Sequence, residues 1–267
     1  MAISRVAARR CVRRILVSRM VIRDRQFQVF RDAAQANAEK KLVEHCREFA
    51  PGMFKAAGEI GIRQGVRLGI ERAQRYGFED EPQIRFYVDM MLVLGSEFDT
   101  DPQFPWATAT LQDQFSRPHV RGMVLHRELS LYLDRVVGQG NEYLREALNR
   151  FAGLPPDLPP PDQCSVSNMR DWFGRLFPQK SDDLSDNQLA QISAAASQQA
   201  REYQLPGGDG ILGGLMLVFG HGVTRDPLYP WIWGVLQDPR VANPDGRLHR
   251  LWAKLRVYAE NAHQYLS

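Results

Sequence analysis

Residues 91–113, MLVLGSEFDTDPQFPWATATLQD, and residues 216–238, MLVFGHGVTRDPLYPWIWGVLQD, are two versions of one string at a constant offset of 125. Position by position, 11 of the 23 pairs are identical, where average residue usage would leave about one or two by chance. A repeat of this kind defines the architectural unit. Whatever the chain folds into must accommodate the same apolar segment, glycine stop and Asp-Pro-x-aromatic-Pro-Trp turn twice.

The flanking sequence reads as helix throughout. Phe27, Phe30, Ala34, Ala38, Leu42, Cys46 and Phe49 recur at steps of three or four, which predicts an amphipathic helix from about Asp24 to Phe49, stopped by Pro51 and Gly52. Ile62, Val66, Ile70, Ala73 and Tyr76 form the stripe of a second helix that Gly77 ends. Glu81-Pro82 opens a third, apolar on nearly every side up to Gly95, so it belongs at the centre of the domain. Further helices are expected near 107–114, 119–137 and 141–151. The order then recurs, near 169–177, 186–203, 211–220, 231–237 and 246–265.

The run GLPPDLPPPDQ at 153–163 cannot continue a helix, because proline lacks the donor and biases its predecessor to extended geometry. It reads as a linker. Leu125-His126-Arg127 and Leu248-His249-Arg250 add a further match at an offset of 123. No alternating valine or isoleucine runs suggest strands. The expected fold is all-α: a basic arm at 1–19, one helical copy at 20–152, a linker at 153–165 and a second copy at 166–267.

Composition narrows function mainly by exclusion. At 267 residues and 44% hydrophobic content the chain can bury a core. Its formal net charge of +3 comes from the arm, where Arg5, Arg9, Arg10, Arg13, Arg14 and Arg19 meet no acid; without them 28 basic residues face 31 acidic ones. That mildly acidic body is poor material for a nucleic-acid footprint. The arm is read as disordered or as preceding a native start at Met20, with an amphipathic targeting segment as the alternative. No window reaches the roughly 18 apolar residues of a membrane span, so a soluble body is expected. Cys11, Cys46 and Cys164 are sparse and odd in number, which suits a reducing cytoplasm and offers no zinc site.

The repeated Asp-Pro element invites a catalytic reading, but its physics favours scaffolding. Asp101 before Pro102 and Asp226 before Pro227 are natural helix N-caps. Trp106 and Trp231, fixed by Pro105 and Pro230, would drop a large ring onto the central helix of each copy. Glu97, Asp99 and Asp101 could hold calcium or magnesium, yet the second copy puts Gly222, Thr224 and Arg225 at or near those places. His221 follows Gly220 at a helix end, where an imidazolium complements the dipole. Gly207-Gly208-Asp209-Gly210 precedes a helix but lacks the Lys-Ser/Thr of a phosphate loop. His45, His119, His126, His249 and His263 form no metal or triad motif. No catalytic residue, metal or cofactor is expected. Tyr229, Trp231, Trp233, Trp252 and Tyr258, by contrast, concentrate in the second copy, and these are the residue types of binding hot spots.

The string GIERAQRYGFEDEPQIRFYVDMMLVLGSEFDTDPQFPWA at 69–107, with MVIRDRQFQVFRDAA before it, resembles a group of bacterial helical proteins often encoded beside type VI secretion effector genes. The resemblance covers the first half closely and the second as a degenerate copy. It implies a bacterial cytoplasmic protein that works with a toxin or its loading machinery, and it carries no active site over. The leading expectation is a non-enzymatic protein-binding module, an adaptor or chaperone for a secreted toxin, with an immunity protein as the alternative. An enzyme with a cleft between the copies, using Asp99, Asp101 or His221, is the rival from another class. Membrane-surface or nucleic-acid binding through the arginine arm is a third.

Overall fold

A computed structural model of the chain describes residues 24–154, 164–241 and 243–263. The basic arm, Cys11 and most of the proline-rich linker lie outside the described residues, as do the side chains of Phe27, Phe30 and Ala34. The chain divides into two units, Met1–Lys40 and Lys41–Ser267. Both copies of the repeated string, 91–113 and 216–238, therefore lie within one compact unit.

Every regular element among the described residues is a helix. The first half comprises α1 (Asp24–Phe49), α2 (Pro51–Arg75), α3 (Glu81–Leu94), α4 (Pro105–Gln112), α5 (Pro118–Val136) and α6 (Glu142–Ala152). The second comprises α7 (Val166–Leu176), α8 (Pro178–Asp182), α9 (Asp186–Glu202), α10 (Asp209–Phe219), α11 (Pro230–Leu236) and α12 (Pro244–His263). Of the described residues, no helix is long and apolar enough to cross a membrane.

Local chemistry explains the boundaries. Pro51 and Pro178, expected only as stops, also open the next helix, where proline gives up a donor the first turn never needed. Asp80, one residue ahead of the expected start of α3, accepts from Gln83 N at 3.0 Å and caps it. Ser185 and Gln188 close a reciprocal capping box at α9. At its C-terminal end α2 turns off through Gly77 (φ 73), where Phe78 N reaches back to Ala73 O at 3.0 Å. α9 ends the same way through Gln204 (φ 53), with Leu205 N on Ala200 O at 2.8 Å.

The two apolar helices α3 and α10 occupy the centre. Tyr87, Val88, Met90, Met91 and Leu94 of the first are buried, as is almost all of the second. α2 packs on α3 and α9 on α10, while α4 pairs with α5 and α11 with α12. The halves interleave: α6 lies against α12, α11 against α2, and α8 against α5. The 20–152 boundary is thus a division of sequence, since α6 packs onto a helix of the other half.

Equivalent contacts give the register between halves. Arg121, on α5, donates to Leu111 O and Tyr76 O, and Arg247, on α12, donates to Leu236 O and Tyr203 O. Leu125 and Leu251 are both fully buried. The offset between α5 and α12 is therefore 126, and the Leu-His-Arg match at 123 is out by three residues, close to one helical turn. Between α2 and α8–α9 the offset is 127, because Pro51 matches Pro178 and Phe78 matches Leu205.

Candidate functional site

The Asp-Pro turns meet where the C-terminal ends of α3 and α10 converge. Gly95 (φ 102) ends the first helix and Gly220 (φ 99) the second, conformations open only to glycine. A Cβ on Gly95 would lie 2.4 Å from Phe219 O, so the backbones approach too closely for any side chain. Each half then places its aspartate against the other. Asp101 Oδ2 accepts from His221 N at 2.7 Å, and Asp226 Oδ2 accepts from Ser96 N at 2.9 Å. The remaining oxygens accept locally, Asp101 Oδ1 from Gln103 N and Asp226 Oδ1 from Leu228 N, both at 2.8 Å.

This corrects the N-cap expectation. α4 and α11 start three residues beyond Pro102 and Pro227, at Pro105 and Pro230, and the capping positions Phe104 and Tyr229 make no side-chain cap bond. The aspartates close tight local turns and clasp the opposite half. The tryptophans share the anchoring with their neighbours. Phe104 and Tyr229 are the buried anchors, whereas Trp106 and Trp231 are half-buried. Trp231 reaches the central helix, edge-on to Phe219 at 6.1 Å, and Trp106 lies edge-on to Phe104 and tilted against Tyr132 of α5.

The acidic cluster is neutralised by a residue that sequence spacing did not flag. Arg72 donates to Asp99 at 2.6 Å and to Glu97 at 2.8 Å, and Tyr76 donates to Asp99 at 3.0 Å. His221 joins the same network, its Nδ1 3.3 Å from Asp101 Oδ2 and its Nε2 3.7 Å from Glu97. Burial opposes a charged ring there, but the Asp101 and Glu97 carboxylates outweigh both burial and Arg72, so the His221 pKa is raised. Asp226 has no such cation, and burial pushes its carboxyl up to about 6 against the two N–H donors. Gln103 Nε2 extends the clasp to Met216 O at 2.9 Å.

Other candidates are also occupied. Asp209 of the glycine-rich turn accepts from Cys164 N at 3.0 Å, which places a carboxylate where a phosphate would need donors. His45 and Asp89, 44 residues apart, meet at 2.6 Å, a pairing that no local spacing announces. No activated thiol accompanies it: burial, with Asp89 adding, raises the neighbouring Cys46 to about 12. Lys180 is buried, its ammonium bonded to Leu217 O and above the Phe104 ring, and burial lowers it to about 8.

The aromatic set divides. Tyr229, Trp231 and Tyr258 form one cluster with Phe219, at ring separations of 4.5 to 6.3 Å. Trp252 is 3% exposed and faces Trp172 at 6.3 Å. Trp233 is 53% exposed. Trp231 and Tyr258 line a cavity of about 280 Å³ between α2 and α12. Comparison with protein-family models, curated proteins and solved structures finds no match.

Proposed function

We propose that the chain is a non-enzymatic protein-binding module, an adaptor or chaperone-like accessory for a secreted toxin in the bacterial cytoplasm. One observation carries this reading. The groups best suited to catalysis, Asp99, Asp101, Glu97 and His221, are bound to one another, to Arg72 and to backbone amides, while aromatic and aliphatic side chains stand free around α11 and α12. Such side chains beside a concavity are the ingredients of a binding hot spot. The toxin assignment rests on the resemblance to proteins encoded near type VI secretion effectors.

Co-expression with the products of adjacent genes, followed by pull-down, is expected to recover one stoichiometric partner. Failure across the whole neighbourhood would sink the reading. An adaptor is required for toxin stability or export, whereas an immunity protein protects a cell that expresses the toxin. The enzymatic rival is addressed by Asp99→Asn and His221→Gln, which keep the shape of the network and are expected to leave partner binding intact.

A further inference from the structure

The register between halves places two equivalent seams in the fold, α5 against α8 and α12 against the first turns of α2. They are finished differently. Across the first, Arg135 on α5 and Asp183 at the end of α8 form an ion pair at 2.8 Å. At offsets of 126 and 127 the corresponding residues of the second seam are Asn261 and Ala56. Neither can form that bridge, and two adjoining cavities of about 280 and 210 Å³ occupy the seam, sharing Gly52, Ala56, Tyr258 and Asn261. Tyr132 is buried in the bridged seam, and its counterpart Tyr258 is half-buried in the open one.

Charge is inverted as well. Glu128 and Asp182 of the bridged seam correspond to Lys254 and Lys55 of the open one. Both lysines line the larger cavity, both are exposed, and neither has a partner among the described residues. No acidic residue lines either cavity. The indole N–H of Trp231 is buried without an acceptor, and Phe49 and Val257 stand half exposed at the edges.

We propose that this open seam is a docking trough for an acidic peptide segment of a protein partner, with an apolar anchor side chain over Trp231 and Tyr258 and carboxylates against Lys55 and Lys254. The proposal rests on the protein-binding reading and adds the site and the chemistry of the partner. At about 280 and 210 Å³ the two compartments are of a size to take single side chains of a peptide. Two adjoining compartments are what successive anchors on one helical face require. Unpaired lysines at the rim would steer an acidic partner and fix its register.

The test is selection of displayed random 12-residue peptides on the full chain, with Lys55→Glu/Lys254→Glu and Ala56→Asp/Asn261→Arg as comparators. The second variant installs the bridge of the other seam; circular dichroism and thermal melting verify that both remain folded. Enrichment of acidic peptides bearing an aromatic or aliphatic anchor is expected, with binding at least tenfold weaker to either variant and falling as salt is raised. No enrichment, enrichment without acidic residues, or equal binding to the variants would overturn the trough. So would sedimentation showing a dimer that Ala56→Asp/Asn261→Arg converts to monomer, since the face would then belong to a second copy. A co-expressed partner that still binds both variants would leave the protein-binding reading standing and remove only this site.

Discussion

Asp101 Oδ2 lies 2.7 Å from the backbone nitrogen of His221, 120 residues further along the chain. Asp226 makes the corresponding bond to Ser96 N at 2.9 Å across 130 residues. The two halves are therefore clasped reciprocally, each carboxylate satisfying an amide of the opposite half, buried at Ser96 and partly buried at His221.

Removing either carboxylate strands two amides at once, all of them buried except the partly buried one of His221. At about 1–3 kcal/mol for each unsatisfied group, Asp101→Ala, and Asp226→Ala at pH 4 where Asp226 keeps its full contribution, should each cost about 3–5 kcal/mol in urea unfolding. A loss below about 1 kcal/mol for both would show that the clasp contributes little.

Stability should fall as pH rises, in two windows. Asp226 is raised from its ordinary 3.8 to about 6, so its contribution is full below about 4 and is lost between about 4 and 6, a change of about 3 kcal/mol. His221 is also raised, so its contribution is present below its unfolded value near 6.5 and disappears as pH climbs through the folded one. Urea midpoints at pH 4, 6 and 8 should show the lower step reduced in Asp226→Asn and the upper step reduced in His221→Gln. Identical pH profiles for wild type and variants would refute both assignments.

Gly95→Ala combines a backbone conformation reserved for glycine with a Cβ 2.4 Å from Phe219 O, whereas the nearest atom at Gly220 is Leu94 O at 3.2 Å. Gly95→Ala is expected to cost more than about 2 kcal/mol and to exceed Gly220→Ala. Thermal melts of the two variants side by side decide the order.

Tryptophans separate packing from binding. Trp252→Ala empties a buried site against Trp172 and should cost about 3–5 kcal/mol. Trp233→Ala removes an exposed ring and should change stability by no more than about 0.5 kcal/mol. If Trp233→Ala nonetheless weakens partner capture, that ring belongs to the interface.

Much of the fold was legible because helices are written locally. The span 24–49 of α1, the stripe of Ile62, Val66, Ile70 and Ala73, and the stop at Gly77 follow from periodicity and backbone preference within a few residues. The candidate site was legible only in part. The repeated Asp-Pro element drew attention to Asp101 and Asp226, but local capping rules named the wrong acceptor role. Arg72 and the His45–Asp89 pair went unnoticed, because partners 25 to 44 residues apart leave no spacing signature. Arg121 and Arg247 could have been found by aligning the halves at 126, and that register came from their shared carbonyl partners.

The sequence by itself determined an all-helical chain with two apolar central helices, each ended by glycine and followed by the same turn. Those features depend on side-chain period, proline and glycine, which act over one or two turns of backbone. Only tertiary structure decided which half each aspartate serves, and that one seam is bridged by Arg135 and Asp183 while its counterpart stays open at Ala56 and Asn261. A carboxylate or an ion pair takes whichever partner folding brings within about 3 Å, and that proximity is set by the packing of whole helices.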